Sequence, residues 1–191
     1  MRFIVVDGLD GSGKDTQSKL LYDKFSKEGS CILRSHPSMD TVYGRKSKQA
    51  LLGTGEFNKL KATVFYGMDV VHSLRKYYGE ADTVIFTRYT LAVSYLPGVL
   101  GYVIYRVVCV ILPTSEYMFF LDVSPNESLK RMDSRGEDTE MFENYDSLCD
   151  TREKINNVIY NWNVIPADNS IDEVYDEITG KISYLDSKLL K

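Results

Sequence analysis

The sequence predicts an α/β fold, a three-layer sandwich in which a five-stranded parallel sheet is flanked by helices. Short β-rich runs alternate with helix-length segments, which is the pattern of βαβ units. The runs are almost continuously apolar, as strands covered on both faces are. The first of them ends in a glycine-rich turn that leads into a helix-compatible stretch. In order, the expected strands are Phe3–Val6, Ser30–Leu33, Thr83–Phe86, Tyr117–Val123 and Asn163–Pro166. Between them, helical stretches are expected near Ser12–Lys27, Val42–Leu52, Lys59–Tyr78, Thr90–Ile111, Asn126–Met132, Tyr145–Tyr160 and Ile171–Ser187. Pro125-Asn126-Glu127-Ser128, directly after the fourth strand, opens a short helix that runs into Leu129-Lys130-Arg131. In open α/β sheets ligands gather at the carboxyl ends of the strands, so the residues just after each strand are the ones to inspect.

The first such junction is the most informative. Gly8-Leu9-Asp10-Gly11-Ser12-Gly13-Lys14-Asp15-Thr16 follows Phe3-Ile4-Val5-Val6-Asp7. A glycine-rich segment alone is an ordinary turn. Gly8, Gly13 and Lys14 at this spacing, between a strand and a helix, instead make a phosphate-binding loop. The glycines let backbone N–H groups wrap phosphate oxygens, Lys14 adds a cation, and the next helix presents its positive end. The pattern G-x-x-x-x-G-K-[ST] places a Mg²⁺-binding hydroxyl after the lysine, and this chain has Asp15 there. A carboxylate is a good hard-oxygen ligand for Mg²⁺. The plain alternative is an aspartate favoured only by the helix N-terminus.

Composition narrows the class. A chain of 191 residues is most simply one domain, 1–191, and is long enough to bury a core. Its net charge of −4 argues against sequence-independent nucleic-acid binding, which needs a basic surface. Cys31, Cys109 and Cys149 lie far apart with no C-x-x-C pair, so neither a zinc site nor a disulfide framework is expected. They are read as small apolar residues in a reducing cytoplasm. Leu91–Leu112 is strongly apolar, but Pro97-Gly98, Gly101 and Arg106 interrupt it. A buried helix pair or an apolar face at a subunit contact is expected there rather than a membrane span. The chain begins a strand at once, and no signal peptide is expected. Met132 to Glu143 is densely charged with no apolar stripe, and reads either as a solvated loop or as a lid (about 133–144) that carries an arginine over phosphates.

With these segments in hand the chain resembles the thymidylate kinase family of P-loop nucleoside monophosphate kinases over nearly its whole length. The resemblance rests on Asp7 to Lys14, Arg88-Tyr89 after the third strand, and Phe119-Phe120-Leu121-Asp122-Val123-Ser124-Pro125. Leu129-Lys130-Arg131, Arg135-Gly136-Glu137, Phe142-Glu143-Asn144 and Ser170-Ile171-Asp172-Glu173-Val174 add to it. It implies a P-loop NTPase fold and transfer of the γ-phosphoryl group of Mg-ATP to a nucleoside monophosphate, dTMP by default. By the same resemblance Gly8 to Thr16 hold the donor phosphates, with Lys14 near the β/γ bridge. Asp10 meets the acceptor's 3′-hydroxyl and Arg88 clamps its phosphate, where a planar guanidinium matches the oxygens. Phe65 stacks on the base, Tyr95 walls the sugar and Phe142 sits beside the lid. The P-loop has no arginine, so the lid arginines Arg135 and Arg131 are expected to steady the transferring group. The family is usually dimeric, which implies a homodimer.

Four departures stand out. Asp15 replaces the hydroxyl. Thr87-Arg88-Tyr89 replaces Asp-Arg-Tyr, so Asp15 is a candidate to supply the charge missing at Thr87. Asp69 stands where the family has a base-reading arginine, and Ala92 where it has a serine. An ionised carboxylate accepts but cannot donate, so Asp69 suits an exocyclic amine, as on cytosine, or else a structural role. Ser35-His36-Pro37 replaces Arg-Glu-Pro, with His36 read either as a phosphate contact or, more simply, as an unremarkable loop histidine. Three readings therefore stand at this stage: a thymidylate kinase, a related kinase for another nucleotide such as a cytosine monophosphate, and a nucleotide-binding protein with degenerate catalysis.

Overall fold

Phe3, Ile4, Val5 and Val6 are all buried, so the first strand, β1 (Arg2–Gly8), has to lie in the middle of the sheet. It pairs in parallel with β3 (Thr83–Thr87) from Arg2↔Thr83 to Val6↔Thr87. On its other side lies β4 (Met118–Asp122), from Val5↔Met118 to Gly8↔Leu121. β2 (Cys31–Ser35) and β5 (Asn163–Pro166) are the edges, giving the order β2-β3-β1-β4-β5. The computed structural model describes residues 1–53, 55–95, 98–134, 144–159 and 161–189, with the backbone alone at residues 56, 94–95 and 98–101. Because the chain steps to β3 on one side of β1 and to β4 on the other, a crevice opens beyond the carboxyl end of β1.

The helices are α1 (Lys14–Phe25), α2 (Val42–Leu51), α3 (Glu56–Tyr77), α4 (Gly98–Ile111), α5 (Pro125–Asp133), α6 (Tyr145–Asn156) and α7 (Ile171–Leu189). The α/β three-layer sandwich is as expected, and most boundaries move by only a few residues. α1 starts at Lys14 rather than Ser12 because Gly13 holds a left-handed φ of 86° and serves as its N-cap. α5 begins as its sequence indicates, with Ser124 accepting from the Glu127 N–H and proline in the first turn. The stretch Thr90–Ile111 is not one helix: a 3₁₀ turn covers Leu91–Tyr95 and α4 starts afresh at Gly98. α4 has 14 residues, and among the described residues no helix is long and apolar enough to cross a membrane. The three cysteines are unpaired and half-buried rather than fully buried.

The core is continuous across both faces of the sheet and includes Phe86, Phe119, Phe120, Leu21, Leu148 and Ile178. Trp162 is core, as expected, and its Nε1 donates to the Tyr105 hydroxyl at 3.0 Å. Not all apolar surface is used. Phe57, Leu60, Val64 and Met68 form an exposed stripe along α3, and Val103, Val107, Val110 and Ile111 form another along α4.

The glycine loop is pinned from the side by α5. Gly11 has a φ of 76°, and a Cβ there would sit 2.6 Å from the Ser128 carbonyl oxygen. Ser128 in turn donates its hydroxyl to the Asp10 carbonyl. Gly11→Ala should therefore cost about 2 kcal/mol from the left-handed backbone alone. That corresponds to a melting-temperature drop of roughly 4–8 °C for a domain of this size, read by thermal denaturation.

Candidate active site

β1 ends at Gly8, and the loop that follows has to fold back over the strand to start α1. Two positive-φ glycines, Gly11 and Gly13, make that possible. The return buries Lys14: its ammonium donates to the Leu9 carbonyl at 2.9 Å and to Asp10 Oδ1 at 3.0 Å. An ammonium buried this deeply needs a counter-ion. Burial and the neighbouring Arg88 charge push the Lys14 pKa down, against the pull of Asp10.

Arg88 completes the cluster. Its Nη2 donates to Asp10 Oδ1 at 3.1 Å, and its Nη1 reaches the Asp15 carboxylate at 3.3–3.4 Å. Burial would raise the Asp10 carboxyl, but Lys14 and Arg88 together hold it well below the usual carboxylate range. Asp15 is likewise held low, with Arg88 and Lys14 outweighing burial, and it also accepts from the Ser35 hydroxyl at 3.1 Å. The expected residues Asp10, Lys14, Asp15 and Arg88 thus form one cluster at the carboxyl ends of β1, β2 and β3.

Two residues that carried no site role in the sequence reading, Asp7 and His36, hold this cluster. Asp7, at the end of β1, accepts from the Gly8 and Tyr89 N–H groups, both at 2.9 Å, and so ties the glycine loop to the turn after β3. Burial raises the pKa of this carboxyl, with those two N–H groups opposing the shift. Arg88 is the one non-glycine residue with positive φ among the described residues, at 61°. Its N–H donates to the Val6 carbonyl at 3.1 Å and its carbonyl accepts from His36 Nδ1 at 3.0 Å. Because a carbonyl only accepts, Nδ1 carries the proton, and burial pushes the His36 pKa down to about 4, outweighing the Asp69 carboxylate. His36 is therefore a neutral, buried prop beneath Arg88 and no ordinary loop histidine.

Beside Asp10 and Arg88 lies a cavity of about 240 Å³ between α2, α3 and the end of β2. Its walls include His36, Pro37, Met39, Lys48, Leu51, Thr63, Tyr66 and Ala92. The aromatic here is Tyr66, whose hydroxyl donates to the Tyr89 carbonyl at 3.0 Å, and not Phe65. Phe65 lies one residue round the helix, half-buried, with the Lys46 ammonium 5.1 Å from its ring centre. Asp69 does not line the cavity either. Fully buried, it accepts from the Ser38 N–H and hydroxyl and from the Thr41 hydroxyl at 2.5–2.7 Å. Thr41 caps α2 by accepting from the Gly44 N–H, so Asp69 fastens α2 to α3 and offers a base no free oxygen. Its expected base-reading role is corrected to a structural one.

Arg131 lies on the donor side. Its guanidinium donates to the Ala167 carbonyl at 2.9 Å and more loosely to the Gly11 and Asn169 carbonyls at 3.4 Å, with Glu127 holding Nε at 2.9 Å. It bridges the glycine loop and the loop after β5. Arg135, Phe142 and nearly all of the segment 133–144 lie outside the described residues, as does the side chain of Tyr95.

A glycine loop around a buried lysine, facing an arginine and a cavity at a sheet switch point, defines a P-loop phosphotransferase with a second-substrate pocket. Comparison with known proteins narrows the class. A family model for thymidylate kinase matches residues 6–178. A probable thymidylate kinase from Methanococcus aeolicus is 30% identical over 99% of this chain and 98% of its own length. The thymidylate kinase of Desulfotalea psychrophila is 24% identical over 96% and 95%. The solved thymidylate kinase structure from Candida albicans superposes with a TM-score of 0.79 at 17% identity, covering 97% of this chain and 92% of that one. The chain belongs to the thymidylate kinase family, whose members are nucleoside monophosphate kinases.

His36 gives a pH-dependent prediction. Its imidazole titrates near 6.5 when unfolded and about 4 when folded, so the folded state binds fewer protons in between. The stability it contributes is complete above about pH 6.5 and is lost as pH falls towards 4. The size is roughly 3 kcal/mol. His36→Phe should flatten this part of the melting-temperature profile, and an unchanged slope between pH 6.5 and 4 would refute the assignment.

Proposed function

We propose that this chain transfers the γ-phosphoryl group of ATP to dTMP, giving dTDP and ADP. One observation carries the reading: in a chain of this family, a cavity opens at Arg88 and at Asp10 of the phosphate loop itself. Two substrates bound in these places have their reacting phosphates meeting at the cluster. Phosphoryl transfer has a loose transition state, so the protein's task is to align the groups and neutralise developing charge.

In this mechanism the backbone amides of Gly8 to Thr16 hold the donor phosphates and Lys14 supplies charge at the transferring end. Arg88 receives the acceptor phosphate. Asp10 accepts from the acceptor's 3′-hydroxyl while keeping Lys14 and Arg88 in place. Tyr66 forms the aromatic wall of the base pocket, which Leu51 and Met39 also line. A cytosine acceptor was favoured only by Asp69, and that side chain is occupied by Ser38 and Thr41. Arg131 orders the donor loops, and Arg135 is assigned, by the family resemblance, to steady the transferring group from the lid expected at about 133–144 of a single 1–191 domain.

Mg²⁺ accompanies the ATP and supplies charge neutralisation at the phosphates. The residue suited to it is Asp15, a hard-oxygen donor, half exposed in the first turn of α1 and next to Lys14. Among the described residues no group of three or more His, Cys, Asp or Glu side chains could hold a metal by itself. In this reading the ATP phosphates would complete the coordination.

The apolar stripes on α3 and α4 are assigned to a homodimer, since exposed apolar faces of this kind mark interfaces. Partners are otherwise small molecules, with no nucleic acid and no membrane, and the location is the cytoplasm.

Two measurements test this. With dTMP, ADP production should be stimulated, and Lys14→Ala and Arg88→Ala should each lower kcat/KM by at least a hundredfold. Tight ATP binding with no stimulation by any nucleoside monophosphate would overturn the kinase reading. In sedimentation, Val64→Glu should shift a dimer to a monomer, and a wild-type chain that sediments as a monomer would overturn the interface.

A further inference from the structure

The P-loop carboxylate and the acceptor-binding arginine are in contact, and a hydroxyl at position 15 would not have produced this. Asp15 extends from the first turn of α1 to Arg88 Nη1 at 3.3–3.4 Å and to the Ser35 hydroxyl at 3.1 Å. Ser35 pairs with Thr87 in the sheet register, so the carboxylate sits at the very strand end where Thr87 brings no charge. We propose that Asp15 is an exchangeable counter-ion for Arg88. It competes with the acceptor phosphate for the guanidinium, and it yields when a divalent cation arriving with ATP engages the same carboxylate. Acceptor affinity is then coupled to the cation through this one side chain. The proposal rests on the phosphotransferase reading above and adds a binding order to it.

Three features make Asp15 the arm that exchanges. The first is charge: Lys14 and Arg88 balance Asp10 and Asp15, so a doubly charged phosphate brought to Arg88 leaves the cluster with excess negative charge unless one carboxylate is satisfied elsewhere. The second is the difference between the two contacts. Asp10 meets Arg88 at 3.1 Å, is also held by Lys14 at 3.0 Å, and is 21% exposed. Asp15 makes the longer contact and is 53% exposed, so a cation reaches it from solvent. The third is the fixed backbone. Val6 and His36 hold the Arg88 main chain, so Arg88 changes partner by turning its side chain alone. A threonine or serine at position 15 carries no charge to compete with phosphate. Exchanging the usual hydroxyl for a carboxylate therefore turns a simple cation ligand into a link between the two substrate sites.

The test is the Kd of dTMP by titration calorimetry, at saturating non-hydrolysable ATP analogue (the β,γ-imido compound), with either Mg²⁺ or EDTA. Wild-type protein should bind dTMP about tenfold more tightly with Mg²⁺, within the usual range of coupling between sites. In EDTA, Asp15→Asn and Asp15→Thr should each bind dTMP nearly as tightly as wild type does with Mg²⁺. Their own Mg²⁺ dependence should fall below about twofold. A structural pairing of Asp15 with Arg88 would not tighten metal-free dTMP binding when the charge is removed. If the variants bind dTMP in EDTA no better than wild type, the exchange is overturned. Equal wild-type affinities in Mg²⁺ and EDTA would overturn it too, and would leave the kinase reading intact. A chain that binds dTMP under neither condition, while binding the ATP analogue, overturns the choice of acceptor on which the exchange rests.

Discussion

Everything at this site depends on burying one ammonium. The Lys14 side chain is 3% exposed, and a charge taken that far out of water is tolerable only beside an opposite charge with its donors satisfied. Leu9 and Asp10 meet that requirement, and they do so only because Gly11 and Gly13 let the chain turn back over β1. The same Asp10 oxygen, Oδ1, that accepts from Lys14 also accepts from Arg88 at the end of β3, which completes the balance. The loop, the strand end and the cluster of charges are thus one electrostatic unit. Asp7 fastens it underneath by bonding the Gly8 and Tyr89 N–H groups at once.

Much of this was legible from the sequence because the chemistry is local. The order of strands and helices follows from runs of apolar residues, and the phosphate loop from the spacing of Gly8, Gly13 and Lys14. The partner of Lys14 lies four residues away, and the motif itself supplies it. What sequence reasoning missed are the contacts made across the fold. Phe65 and Tyr66 are adjacent aromatics on one helix, and which of them faces the cavity depends on the rotation of α3 against α2. Asp69 reads as a base-contacting carboxylate by its place in the helix, yet its partners Ser38 and Thr41 lie about thirty residues earlier. A local signal for that role did exist in Ser38 and Thr41 flanking Asp40 just before α2, a cap in need of an anchor. His36 gave no such signal. Its importance comes from burial under Arg88, which only tertiary structure reveals.

The acceptor side therefore differs from the donor side in how it is built. The glycine loop is self-contained, closed on Lys14 by Leu9 and Asp10, with α5 packed against Gly11. The acceptor cavity is assembled from α2, α3, the end of β2 and the turn after β3, and its walls hold together through side chains. Asp69 locks α2 to α3, Tyr66 locks α3 to the Tyr89 carbonyl, and His36 locks the β2 end to Arg88. These three bonds fix the distance between the cavity and Arg88. That separation has to be held closely, because small misplacements of a reacting group cost large factors in rate.

A carboxylate in the middle of a phosphate-binding loop looks at first like a fault, since it repels the anion the loop exists to hold. At 4 Å and an effective dielectric of 20 the repulsion between two unit charges is about 4 kcal/mol, enough to abolish useful affinity if nothing opposed it. The structure shows what opposes it. Asp15 does not point at the cradle of backbone amides: it turns towards Ser35 and Arg88, away from Gly11 and Gly13. Ser35, its partner there, pairs in the sheet register with Thr87, which carries no charge. In the exchange proposed above, the cluster's second carboxylate is tethered to the helix rather than to a strand end. The total charge of the four groups is zero with the carboxylate at either position. That tether sits half in solvent at a helix N-terminus, which stabilises an anion without any partner. A carboxylate on a strand end has no such alternative and stays with its arginine. One on the first turn of α1 is stable both paired and released, and this makes the Asp15–Arg88 contact suited to exchange.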